Sequence, residues 1–202
     1  MSLIFLTSTG LSDDHISKVF AEKTLALKDK PASIIVNAAR GGRENKYASL
    51  AKEQLSSLRF SNVTLVDVLT DPLGIIDESS VVYVCGGNTF TLMDALRRSG
   101  AAEVLVEKIT RGSCIYVGVS AGSLVLTPTI RLAAEVEPDD NDLGLTDLAG
   151  LQLYPSEVYP HYTSEVEPEL KAYEERHQVA VDRISDSQAI IIEDGIATVI
   201  GK

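Results

Sequence analysis

The chain has 202 residues, 45% hydrophobic and 23% charged, a balance expected of one globular domain spanning 1–202 with a sizeable core. Its net charge of −11, from 29 acids against 18 bases, argues against a grip on nucleic acid, which needs a basic face. No apolar run approaches the roughly 20 residues of a membrane span, and the start MSLIFLTSTG lacks the basic flank of a signal peptide, so a cytoplasmic protein without membrane contact is expected.

Residues 3–8 (LIFLTS) read as a first core strand. Ser12 is placed to cap a helix that opens on Asp13 and Asp14 and carries Ile16, Val19, Phe20 and Leu27 along one face. Residues 33–39 (SIIVNAA) predict a second strand, and Gly41-Gly42 beyond it reads as a turn, since it lacks the wider pattern of a nucleotide site. Tyr47, Leu50, Ala51, Leu55 and Leu58 form the stripe of a second helix, followed by a strand at 63–68 (VTLVDV). Residues 81–85 (VVYVC) make the next strand. It runs into the loop Gly86-Gly87-Asn88-Thr89-Phe90 and a helix that closes on Arg97, Arg98 and Gly100. Residues 114–119 (CIYVGV) are again strand-like. Cys85 and Cys114 both lie in apolar runs and suggest no disulfide framework.

Continuously apolar strands alternating with amphipathic helices predict an α/β fold, a three-layer, mostly parallel sheet with helices on both faces. The pattern changes after residue 127. Residues 131–136 (RLAAEV) and 151–158 (LQLYPSEV) read as shorter strands separated by an acidic loop at 137–147. The acids in 139–142 (DDND) and 173–176 (YEER) read as solvated surface. A helix is expected over 167–177, with Pro168 near its start and Leu170 and Tyr173 inward. Residues 188–201 (QAIIIEDGIATVIG) predict an antiparallel C-terminal hairpin around Asp194-Gly195.

The chemistry centres on Gly118-Val119-Ser120-Ala121-Gly122, a G-x-S-x-G pattern at the end of an apolar strand. The glycines permit a tight strand-to-helix turn that exposes the serine hydroxyl. A serine nucleophile needs a base. Of three histidines, His15 and His177 read as helix-end surface residues, whereas His161 follows a strand-like run at the kind of position where α/β sheets concentrate reactive groups. Asp186, between two apolar strands, is the candidate acid, with Glu135 as the alternative. Backbone N–H groups of Ala121 and of the Gly86-Gly87 loop are candidates for an oxyanion hole. No H-E-x-x-H pattern or cysteine cluster is present, so neither a metal nor another cofactor is expected.

Taken together, GGNTF, then GVSAGS some thirty residues later, then PHYT resemble the peptidase E group of serine peptidases, which includes aspartyl dipeptidases and, more distantly, cyanophycinases. The resemblance implies a class I glutamine-amidotransferase-like fold with Ser120 as nucleophile, His161 as base and an oxyanion hole from Gly87 and Ala121. Asp186 stands where the family usually has Glu. Asn88, Thr89 and Arg176 are the candidate substrate-binding residues; Arg176 is one residue out of the family's register, about 100° around a helix. The expected activity is cleavage of a small peptide through an acyl-enzyme, by a monomer or homodimer. The alternatives are another amide or ester hydrolase of this fold and a catalytically silent small-molecule binding module.

Overall fold

The computed structural model describes residues 2–136 and 139–202. Its strands in chain order are β1 (Leu3–Thr7), β2 (Ala32–Ile35), β3 (Val63–Val66), β4 (Val81–Val84), β5 (Ile115–Val119), β6 (Glu157–Tyr159), β7 (Val181–Arg183), β8 (Gln188–Glu193) and β9 (Ile196–Gly201). Its α-helices are α1 (Asp14–Lys23), α2 (Lys46–Ser57), α3 (Gly74–Glu78), α4 (Thr89–Ser99), α5 (Ala101–Thr110), α6 (Ala121–Leu124), α7 (Leu132–Glu135) and α8 (Glu167–His177). No helix among the described residues is long and apolar enough to cross a membrane.

A seven-stranded sheet runs in the order β3-β2-β4-β5-β1-β8-β9. The first five of these are mutually parallel; β8 is antiparallel to β1 and forms a hairpin with β9. Asp194 and Gly195 at the hairpin tip both have positive φ, the backbone that matches the twist of paired strands. Strand alternation divides the core. Leu3 and Phe5 pack with Phe20, Ala51 and Leu55 of α1 and α2. Ile4 and Leu6 turn to the other face and pack with Leu92, Leu96 and Leu105 of α4 and α5. The short parallel pair β6-β7 stands apart from the main sheet. It shares a third cluster with α6, α7 and α8, built around Leu124, Leu132, Tyr159, Leu170 and Tyr173.

Several local expectations are corrected. The cap of α1 is Asp13, whose carboxylate accepts from the N–H groups of His15 and Ile16; Ser12 donates to Thr9 O. Leu27 lies beyond that helix, which ends where the Thr24 hydroxyl donates to Phe20 O at 2.7 Å. Residues 131–136 contain the helix α7 rather than a strand, in keeping with the helix-forming Leu-Ala-Ala-Glu. Of 151–158, only Glu157 and Val158 enter a strand. Within the acidic loop at 137–147, Glu137 and Pro138 lie outside the described residues.

Candidate active site

Four strand ends meet at one edge of the sheet. The parallel strands β1, β4 and β5 bring their carboxyl ends there, the usual location of ligands in α/β sheets. β8 runs the other way, so its amino end reaches the same edge: Thr7 pairs with Ala189. Ser8, Gly86-Gly87, Ser120 and Asp186 therefore arrive from β1, β4, β5 and the approach to β8. The end of β6 supplies His161.

Ser120 sits between β5 and α6 with φ 49° and ψ −109°, a positive-φ backbone that a non-glycine residue adopts at a cost of about 1–3 kcal/mol. The surroundings enforce it. Its N–H donates to Thr7 O at 2.8 Å. Ser123 Oγ lies 2.9 Å from Thr7 O and 3.0 Å from Gly118 O, and the buried Tyr116 hydroxyl donates to Gly122 O at 2.7 Å. A Cβ on Gly118 would stand 2.5 Å from Gly122 O, which accounts for the first glycine of the motif. The Ser120 hydroxyl makes no hydrogen bond to a described residue.

His161 also has a positive φ, 57°. Its N–H donates to the buried Ser8 Oγ at 2.9 Å, Ser8 donates to Ile184 O at 3.0 Å, and Tyr162 N–H donates to the same carbonyl. The imidazole Nδ1 is 2.6 Å from Asp186 Oδ1. Thr9 Oγ1 holds the backbone of that acid through Asp186 O at 2.9 Å. The hydroxyls of Ser8 and Thr9 thus tie both residues to the end of β1. The sequence signal for them was a run of hydroxyls, Thr7-Ser8-Thr9, at the carboxyl end of an apolar strand.

Gly87 has φ 145°, and a Cβ there would lie 2.3 Å from Ala38 O, so the loop after β4 admits glycine alone without rearrangement. Among the described residues neither Gly87 N–H nor Ala121 N–H donates to a protein acceptor. Ala121 opens α6, where the first N–H groups have no helical partner.

Two hollows flank Ser120 and share Gly87, Ser120 and His161. The first, about 150 Å³, is walled by Leu124, Leu132, Ala133 and Val136 and includes Thr89 and Asp139. The second, about 250 Å³, is lined by Tyr47, Leu50, Tyr83 and Cys85. Tyr47 and Leu50 were expected in the packed stripe of α2; they border this hollow instead, and Ala48, Ala51 and Leu55 carry the buried face. Burial pushes the Cys85 thiol up to about 12, leaving it unreactive at neutral pH.

The other candidates take different places. Asn88 caps α4, accepting from Thr91 N–H, while its Nδ2 donates to Asp140 O. Thr89 is buried at the edge of the first hollow. Arg176 lies outside both hollows and donates to Glu135 Oε2 at 2.7 Å. Glu135 also pairs with His177 Nε2 at 2.8 Å, well removed in its partners from His161. Asp139, assigned by its acidic surroundings to solvated surface, instead enters the cleft, and its Oδ2 accepts from Thr89 N–H at 2.8 Å.

The chain is similar to known proteins over most of its length. The family model described as Peptidase family S51 matches residues 4–200. The uncharacterized peptidase Lmo0363 of Listeria monocytogenes is 31% identical over 168 residues, 81% of this chain and 80% of that protein. Peptidase E of Salmonella gallinarum is 34% identical over 137 residues, 66% of this chain. That match spans 54% of the Salmonella protein, about half its length. A crystal structure of a candidate peptidase E from Listeria monocytogenes EGD-e superposes with a TM-score of 0.79 at 28% identity, covering 100% of this chain and 99% of that one.

Proposed function

The chain belongs to peptidase family S51, a group of serine-type peptidases, and from that premise we propose that it hydrolyses an amide bond in a small peptide through an acyl-enzyme on Ser120. The observation that carries the reading is the 2.6 Å contact between His161 Nδ1 and Asp186, made at the cleft that Ser120 lines. With Nδ1–H donated to the carboxylate, the Nε2 lone pair is left to take the Ser120 proton. Ser120 Oγ attacks the carbonyl carbon, and the developing oxyanion is received by the N–H groups of Gly87 and Ala121. His161 then protonates the leaving amine as the C–N bond breaks. A water, deprotonated by the same nitrogen, releases the acyl group.

The expected setting is the cytoplasm, and the placement of the nucleophile at the carboxyl end of a central parallel strand fits a class I glutamine-amidotransferase-like fold. Replacing Ser120 by Ala should lower kcat about 10⁶-fold. A phosphonofluoridate should label the wild-type chain stoichiometrically at Ser120. Absence of labelling would replace this reading with that of a silent binding module, and turnover that survives the substitution would remove Ser120 as the nucleophile.

A further inference from the structure

Among the described residues, the first hollow beside Ser120 combines an apolar wall with a single carboxylate. Leu124, Leu132, Ala133 and Val136 supply the wall. Asp139 faces the same space with one oxygen committed, Oδ2 to Thr89 N–H, while Oδ1 accepts from no described residue. Apart from His161, no basic side chain is among the described residues lining this space. Arg176, the cation that could have received an acidic substrate side chain, is spent on Glu135 outside it. We propose that this cleft selects peptides with a free N-terminal ammonium and an apolar first side chain, with Asp139 binding the ammonium. The inference rests on the peptidase reading of Ser120.

Charge fixes which hollow receives which half of the substrate. In a dipeptide the ammonium belongs to the acyl half and the terminal carboxylate to the leaving amine. Asp139 attracts the first and repels the second, so the acyl half occupies the Asp139 hollow and the leaving group the larger one lined by Tyr47, Leu50 and Tyr83. An aspartyl side chain on the acyl half would enter an apolar wall with no counter-ion among the described residues, where an unpaired charge is strongly disfavoured. A side chain such as that of Leu or Val finds matched surface there.

Binding measured without chemistry separates this selectivity from the catalytic reading. Calorimetry on the Ser120→Ala variant should show Leu-Ala binding at least about 10-fold more tightly than N-acetyl-Leu-Ala, which loses the charge-assisted hydrogen bond to Asp139, and at least about 10-fold more tightly than Asp-Ala, whose carboxylate meets the apolar wall unpaired. Adding Asp139→Asn should abolish the preference for the free amine over the acetylated peptide. Asparagine retains an acceptor for Thr89 N–H, so the α4 terminus stays capped, and Asp139→Glu, which restores the charge, should recover part of the preference. Equal binding of Asp-Ala, equal binding of the acetylated peptide, a ratio unmoved by Asp139→Asn, or no dipeptide binding at all would each overturn the proposal. Labelling of Ser120 in the wild-type chain reports on the nucleophile independently, so failure of the selectivity is distinguished from failure of the catalytic reading.

Discussion

Asp186 stands two residues ahead of β8, and the reversed direction of that strand is what returns its carboxylate to His161. The pair is open to water, with 48% of the His161 side chain and 67% of the Asp186 side chain exposed, so its electrostatic strength grows when a bound peptide excludes solvent. Asp186→Asn should lower kcat about 10⁴-fold by allowing the wrong imidazole tautomer. Glu135→Gln, whose partners are Arg176 and His177, should leave kcat within a few-fold; steady-state rates on one dipeptide compare the two directly. The reverse order of losses would move the acid to Glu135. The positions of Ser120 and His161 at the cleft were legible in the sequence because each follows a strand-like run, where α/β sheets gather reactive groups. Asp139 was not legible. A carboxylate in an acidic run has the same local signature whether it faces solvent or a cleft, and its role depends on the loop crossing the N-terminus of α4.

At the scale of elements, the region carrying His161 is held by buried or shielded polar contacts as well as by its ties to the end of β1. Glu157 of β6 is buried and receives the hydroxyls of Thr129 and Tyr173, both at 2.6 Å. Arg183 of β7 forks onto Glu174 of α8 at 2.7 and 2.8 Å, and Val181 N–H donates to the same carboxylate. The Arg183 guanidinium, aided by that N–H, holds the Glu174 carboxyl below its ordinary value against the opposing pull of burial. A carboxyl lowered by folding stabilises the fold fully above its unfolded value, about 4.3 for Glu, and the stabilisation is lost as pH falls through the lowered folded value. Glu174→Gln should therefore lower Tm at pH 7 by about 2–4 °C, the equivalent of roughly 1 kcal/mol in a chain of this size. Thermal melts of variant and wild type should converge as the pH drops below about 4; a difference constant with pH would remove the ion pair from the account. The helix α8 was legible from Pro168 and the spacing of Leu170 and Tyr173, and the hairpin from Asp194-Gly195. The helix α7 was not, because six residues hold less than two turns and their apolar spacing fits strand and helix alike.

For the molecule as a whole, both cysteines are buried, and burial pushes their thiols up to about 12 for Cys85 and about 11 for Cys114. Iodoacetamide at neutral pH should modify neither thiol in the folded protein and both after denaturation, read by intact mass; labelling in the folded state would contradict the packing of β4 and β5. The layered α/β architecture was legible because its central strands are covered on both faces and so are apolar throughout. Strand order was not, since it is set by crossovers that no local pattern records. That order has a kinetic consequence. β1 and β8 are distant in the chain yet adjacent in the sheet, and the Ser8, Thr9 and Asp186 contacts form across their meeting edge. Pairings of such wide sequence separation close late during folding, because chain entropy must be surrendered before they give any return. In a refolding experiment, peptide turnover should consequently lag the far-ultraviolet circular dichroism signal, and its recovery would time the moment at which β8 closes onto β1.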